Sequence, residues 1–218
     1  MKKLYLASGS PRRAQILRDA HIAFETVAAP VDESARAGES ALERVLRLAR
    51  AKAEAGVEAV RRGAGGAAEG RGAGLERMRP SRGAGSAVAE GALLIGADTE
   101  VVIDGEVLGK PESGEDARRM LRRLAGRTHE VITGVALVRL PDGERRVEHE
   151  VTRVTFAPLS DAEIEAYVAS EEHRDKAGGY AIQGRGGTFV TRVEGCYFNV
   201  VGLPLARLWR MMREMGWK

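Results

Sequence analysis

Cysteine is almost missing from this chain: Cys196 is the only one in 218 residues. That excludes an internal disulfide and a multi-cysteine zinc site, and it is compatible with a reducing cytosol. Long hydrophobic runs are missing too. Lys2-Lys3 ahead of Leu4-Tyr5-Leu6-Ala7 imitates the opening of a secretory signal. The apolar run stops there, too short for a signal h-region, and no later run approaches membrane-spanning length. These absences predict a soluble, cytoplasmic protein. Histidine is scarce: His129 has no metal-ligand spacing from His21, His149 or His173, which predicts a structural role for it. Excess charge of one sign is small as well. The formal net charge is +3, and the pI of 9.2 leans only far enough to suit an anionic ligand of any size.

What is present is enough for one α/β domain, or at most two small lobes. Hydrophobic residues make up 44% of the chain and can build a core, while 30% charged residues keep the surface polar. One stretch departs from this composition. Residues 56–91 hold 10 of the 27 glycines and six arginines, with no sustained apolar period. Such sequence cannot repay the entropy of ordering itself, so it reads as a flexible insertion or loose helical excursion. Its arginines read as solvated loop residues rather than as a nucleic-acid contact. The rest reads as a single domain of about 180 residues.

The elements follow in order. An apolar strand, Leu4 to Ala7, leads into a helix from Pro11 to about Ala20, with Ser10 as N-cap and Pro11 at the first helical position. A short strand spans Phe24 to Val27. Ser40 and Glu43 form a capping box for a second helix whose apolar positions are Leu42, Val45, Leu46 and Ala49. Lys52 falls on that same side, where a lysine either snorkels to the rim or aims into a cleft. Leu93 to Thr99 reads as a buried strand that ends in polar groups. Asp104-Gly105 is a hairpin turn between Val101-Val102-Ile103 and Glu106-Val107-Leu108. Ser113 opens a third helix closed by Gly126. Val131 to Leu140 and Arg146 to Phe156 are longer strands, Ser160 and Glu163 cap a fourth helix, and Leu159 with Ile164 forms a hydrophobic staple. Ala177 to Val193 reads as a glycine-rich strand region, and a helix from Pro204 to Met215 closes the chain. Hairpins mixed with crossover helices predict a mixed sheet.

Three stretches carry chemistry. Ser8-Gly9-Ser10-Pro11-Arg12-Arg13 at a strand-to-helix junction combines free first-turn amides, the positive end of a helix dipole and two guanidinium forks. It reads equally as an anion socket and as a well-capped surface helix. Asp98 emerges from Leu-Leu-Ile-Gly-Ala, where a lone carboxylate is costly to bury and wants a metal, a cation or an edge. Lys110 ends the returning hairpin strand, and Glu33 offers a second carboxylate in a loop; taken alone, each reads more readily as a solvated side chain. Asp175 to Gly184 holds glycines that permit close backbone approach, and Gln183 there carries both a donor and an acceptor. Cys196 beside Tyr197-Phe198-Asn199 reads as a buried thiol without a catalytic partner.

Taken together, the chain resembles the Maf family of nucleoside triphosphate pyrophosphatases. The matching blocks are Leu6 to Arg13, Gly96-Ala97-Asp98-Thr99, Leu108-Gly109-Lys110-Pro111, Gly126 to Val131, Asp175 to Gly178 with Ile182-Gln183-Gly184, and Asn199 to Leu205. The resemblance implies an elongated mixed α/β fold with a central cleft, similar to that of inosine triphosphatases. It also implies hydrolysis of a nucleoside triphosphate to monophosphate and pyrophosphate, a divalent cation (Mg²⁺ or Mn²⁺), and a homodimer without membrane or nucleic-acid partners. Carried over by position, Asp98 accepts the water proton and Glu33 assists with metal or water, so both are implied metal ligands. Ser8, Arg13, Lys52 and Lys110 hold phosphates. Arg12, Thr99 and Gln183 match the branch that acts on dTTP and UTP; the alternatives are a pyrophosphatase for modified purine triphosphates such as 7-methyl-GTP, or a cell-division regulatory protein. The chain departs from the family in the long insertion after Lys52 and in Cys196-Tyr197-Phe198, where Asp-Tyr-Ser is common.

Overall fold

A computed structural model describes residues 2–63 and 91–218. The strands are β1 (Leu4–Ala7), β2 (Glu25–Thr26), β3 (Ala92–Ile103), β4 (Glu106–Leu108), β5 (Thr128–Leu140), β6 (Arg145–Phe156) and β7 (Val190–Glu194). They form a mixed sheet in the order β2-β1-β3-β5-β6-β7, with β4 paired to the far half of β3. Only β1 pairs in parallel, with β2 and β3; the other ladders are antiparallel. The helices are α1 (Pro11–Asp19), α2 (Ala41–Arg61), α3 (Gly114–Leu124), α4 (Asp161–Ala169), α5 (Tyr197–Val201) and α6 (Leu205–Glu214).

Local signals set most boundaries. The Ser40–Glu43 and Ser160–Glu163 capping boxes are both closed, and Ser113 accepts from the Asp116 N–H. Asp104 and Gly105 both take positive φ, as a type I′ turn requires. Other expectations need correction. Ser10 is the N-cap of α1 but makes no side-chain cap bond. Gly56 to Arg61 continue α2 rather than opening the insertion; residues 64–90, the bulk of that stretch, lie outside the described residues. Asp98 is not at a strand end but in the middle of β3, because β5 pairs across it from Ala92 to Val102. Ala177–Gly179 and Arg185–Phe189 are 3-10 turns, so the strand there begins only at Val190. The short α5 was not anticipated, and Cys196 just before it is partly exposed rather than buried.

The sheet separates two layers. On one face α2 lays Val45, Leu48, Ala49, Lys52, Ala53, Gly56 and Val57 along a single helical stripe. That stripe covers Tyr5, Ala7, Leu94 and Ala136. On the other face α1 and α6 pack Leu17, Leu208 and Met212 over Leu4, Leu93, Ile95 and Leu137. Each leucine so buried contributes about 1.5–3 kcal/mol. Alternation along β3 therefore sends Leu94, Gly96, Asp98 and Glu100 toward α2, and Ile95, Ala97, Thr99 and Val101 toward the other face. The parallel partner β1 stops at Ala7, opposite Gly96. Beyond that point the edge of β3 is uncovered until β4 joins at Val101. A cleft opens in this gap.

His129 is structural, as its sequence context suggests. It is 1% exposed, its Nε2 lies 2.8 Å from the Tyr180 hydroxyl, and its ring meets Phe156 and Tyr180 edge-on. Burial pushes its pKa down to about 4. A base whose folded pKa is lowered contributes stability that is present above its unfolded value of 6.5 and lost as pH falls toward 4. The loss amounts to about 3 kcal/mol. Burial pushes Glu100 up to about 7, which has the opposite sign over an overlapping range, so the difference from a variant isolates the histidine. The advantage of the native protein over His129→Gln in urea unfolding is expected to shrink by about 3 kcal/mol between pH 7 and pH 4. A difference that stays level across that range would contradict a neutral buried imidazole.

Candidate active site

The cleft has a volume of about 640 Å³ and is lined by Ser8, Arg12, Arg13, Glu33, Lys52, Asp98, Thr99, Lys110 and Gln183 alike. These residues come from the turn after β1, α1, the loop after β2, α2, β3, the loop after β4 and the loop after α4, so only the fold brings them together.

Two clusters form its walls. In the first, the Lys52 ammonium lies 2.7 Å from Asp98 Oδ1 and 2.6 Å from Glu33 Oε1. Lys52 sits on the buried stripe of α2 but extends past its apolar neighbours to the cleft, and its side chain is 11% exposed. Burial alone raises the Glu33 pKa, but the hydrogen bond and charge of Lys52, with Lys110 and Arg13 behind it, hold the carboxyl below its usual value. The loop carrying Glu33 is stitched to α2: Arg44 Nη2 donates to the Glu33 carbonyl at 2.9 Å and Arg47 Nη2 to the Ser34 carbonyl at 3.0 Å.

The second cluster is built around Arg13, which is buried. Its Nε donates to the Gly202 carbonyl at 2.7 Å, Nη1 to Ser8 Oγ at 3.1 Å and Nη2 to Thr99 Oγ1 at 3.0 Å. A guanidinium has five N–H groups, so two remain for a ligand. Burial lowers the Arg13 pKa while the charge of Asp98 supports its ionised form. Thr99 Oγ1 lies 2.9 Å from Thr133 Oγ1, which donates to the Asn199 carbonyl at 3.1 Å. With the Thr133 proton on the Asn199 carbonyl, the Thr99 hydroxyl has two acceptors, Thr133 Oγ1 at 2.9 Å and the Gly202 carbonyl at 3.5 Å. The Asn199 amide in turn donates to the Val131 carbonyl and to Thr152 Oγ1. The Asn199 to Gly202 block is thus the anchor that fixes Arg13.

Arg12, Lys176 and Asp175 line the same cleft near Gln183, which is exposed to it. Burial lowers the Arg12 pKa and Asp175 partly restores it. Glu100 was missed by sequence reasoning, although its position two residues after Asp98 places it on the same strand face. It is 6% exposed, and Arg44 Nε lies 3.3 Å from its carboxylate. Arg44 and Arg47 carry no motif and were not legible.

The donor set suits a hard divalent cation. Asp98 and Glu33 each turn one carboxylate oxygen onto the same positive charge. Among the described residues no three His, Cys, Asp or Glu side chains converge as a metal cage. One or two carboxylates completed by water and substrate phosphates is the usual arrangement for Mg²⁺. No helix among the described residues is long and apolar enough to cross a membrane.

The family model described as Maf-like protein matches residues 3–215. This chain belongs to the Maf-like family. Its relatives include proteins named dTTP/UTP pyrophosphatase. That of Carboxydothermus hydrogenoformans is 42% identical over 99% of this chain and 100% of its own. That of an Anaeromyxobacter species is 46% identical over 98% of this chain and 90% of its own. The Salmonella typhimurium protein is 44% identical over 99% and 94%. Among solved structures, the Staphylococcus aureus Ham1 protein matches with a TM-score of 0.40 and 15% identity over 72% of each chain.

Proposed function

We propose that this Maf-like protein hydrolyses UTP and dTTP to the monophosphate and pyrophosphate. The observation that carries this reading is the meeting of two clusters in one cleft: the Asp98–Lys52–Glu33 triplet and the locked Arg13 with Ser8. Such an arrangement sets proton-accepting carboxylates beside cationic phosphate ligands. Phosphoryl transfer asks a protein chiefly for positioning and charge neutralisation.

Asp98 takes the proton of the attacking water, whose oxygen bonds to the α-phosphorus as the bond to the bridging oxygen breaks. Pyrophosphate leaves, its charge balanced by Arg13, Lys52 and Lys110. Glu33 and Asp98 would hold Mg²⁺ or Mn²⁺, which supplies charge neutralisation at the phosphate oxygens. Gln183 and Arg12 read the pyrimidine. Thr99, whose hydroxyl is engaged by Thr133, the Gly202 carbonyl and Arg13, acts on selectivity through the placement of Arg13.

Pyrophosphate release from UTP, dTTP, CTP, GTP, 7-methyl-GTP and ITP, with and without Mg²⁺, tests the proposal. UTP and dTTP are expected to lead by about tenfold or more, the worth of one polar pairing left unmade by the wrong base. Faster cleavage of 7-methyl-GTP or ITP would reassign the base site to a modified purine.

A further inference from the structure

We propose that Glu172 is the positioning residue for base selection: its carboxylate clamps the loop that presents Gln183 to the cleft. The inference rests on the reading of Gln183 as a base reader. Glu172 lies just after α4, in a segment that carries no reacting group. Its Oε2 accepts from the Arg185 backbone N–H at 3.0 Å, and its Oε1 accepts from the Gly186 N–H at 3.0 Å. The Tyr167 hydroxyl, from α4, donates to the same Oε1 at 3.3 Å and itself accepts from the Ala181 N–H at 3.0 Å. Both ends of the segment from Ala181 to Gly186 are therefore held by one carboxylate–phenol pair, and Gln183 sits between the two anchor points.

The glycines of this loop fit the same account. Gly184 has φ +88°, and a Cβ there would lie 2.8 Å from Glu172 Oε2. At Gly186 a Cβ would lie 2.3 Å from the Ala181 carbonyl oxygen. Both positions need glycine so that the backbone can fold around the carboxylate. Successive N–H groups turned inward make an anion-binding concavity, and here the protein's own glutamate fills it. A reading group held in this way loses little freedom when the base arrives, so discrimination depends on the clamp as well as on the amide.

The chemistry of the clamp singles out one substitution. A carboxylate is an acceptor at both oxygens, whereas a glutamine must turn its NH₂ toward either the Arg185 or the Gly186 N–H, donor against donor. Glu172→Gln is therefore expected to lower the UTP-to-CTP ratio of kcat/KM about fivefold to tenfold, through a raised KM for UTP with kcat retained. Tyr167→Phe removes the second anchor with little change of shape and is expected to move the ratio the same way, so it carries the test should Glu172→Gln not fold.

Gln183→Ala, assayed in parallel, separates the two ideas. Loss of UTP preference in Gln183→Ala together with a folded Glu172→Gln or Tyr167→Phe supports the clamp. Loss in Gln183→Ala alone overturns it while leaving base reading intact. Unchanged preference in Gln183→Ala removes both. A kcat that falls equally for all nucleotides in Glu172→Gln would mark a merely structural role and overturns the proposal too.

Discussion

Asp98→Asn is expected to lower UTP turnover by about 10³-fold or more, the scale on which a positioned general base contributes, in a protein that stays folded. Asparagine matches aspartate in shape, and the backbone of Asp98 stays in its ladder with Gly134 of β5. Lys52 would exchange one charged partner for a neutral oxygen yet keep Glu33 at 2.6 Å, in a side chain that is 48% exposed. The cost to stability is then about 1–2 kcal/mol, less than for breaking a fully buried pair, because the ammonium is not left alone. The chemical cost is of another kind. An amide cannot take a proton from water at neutral pH, and it offers a divalent cation a neutral oxygen in place of a charged one. Turnover and nucleotide affinity should accordingly separate. Arg13 and Ser8 are untouched, so binding of a non-hydrolysable UTP analogue changes little while pyrophosphate release collapses. Circular dichroism and a melting curve establish folding. Turnover within tenfold of the native protein would remove Asp98 from the reaction and take the proposed mechanism with it.

How much of this arrangement could be read beforehand varies with the range of the interactions that decide it. Both capping boxes and the Asp104-Gly105 turn were legible because each is settled within four residues. The α2 stripe was legible by spacing; of the two positions this left open for Lys52, rim or cleft, the structure takes the cleft. The middle of β3 was not legible. Gly96-Ala97-Asp98-Thr99 looks like the fading end of a strand, and only pairing with β5, distant in sequence, keeps it extended to Ile103. The same pairing decides that Asp98 and Glu100 face α2 while Thr99 meets Arg13. Ala177 to Val193 misled for a related reason: its glycines serve tight turns, Gly184 and Gly186 around Glu172, not a strand. For the site, all six family blocks bring residues to one cavity, Gly126 to Val131 only through Val131, while Glu33 and Lys52 lie outside them. The blocks were silent on which atom holds which, such as the Gly202 carbonyl on Arg13 or Lys52 between two carboxylates.

Gly96→Ala is expected to destabilise the protein by about 3 kcal/mol or more, at or beyond the upper range for an inserted methyl. An added Cβ would lie 2.2 Å from the Ala49 carbonyl oxygen and 2.5 Å from the Ala53 nitrogen, both backbone atoms of α2. Side chains can rotate away from a clash, but a helix backbone can only move as a body. Gly134 on β5 meets the Val45 carbonyl oxygen in the same way, at 2.4 Å. The two glycines together form the depression in which α2 rests. For a domain of this size each kcal/mol shifts Tm by about 2–4 °C, so a fall of about 6–12 °C is expected. Gly109→Ala is the control: its Cβ would meet nothing within 4 Å, and its φ is not in the left-handed region, so Tm should hold or rise slightly. The second consequence concerns chemistry. Lys52 lies between Ala49 and Ala53 on α2, so raising the helix from β3 draws the ammonium away from Asp98. Activity should therefore fall at temperatures where the variant is still fully folded, and by more than in a variant of equal Tm substituted far from α2. If Gly96→Ala melts with the native protein, α2 does not rest on the strand at this point. The 2.7 Å contact of Lys52 with Asp98, which depends on that close approach, would then lose its structural basis.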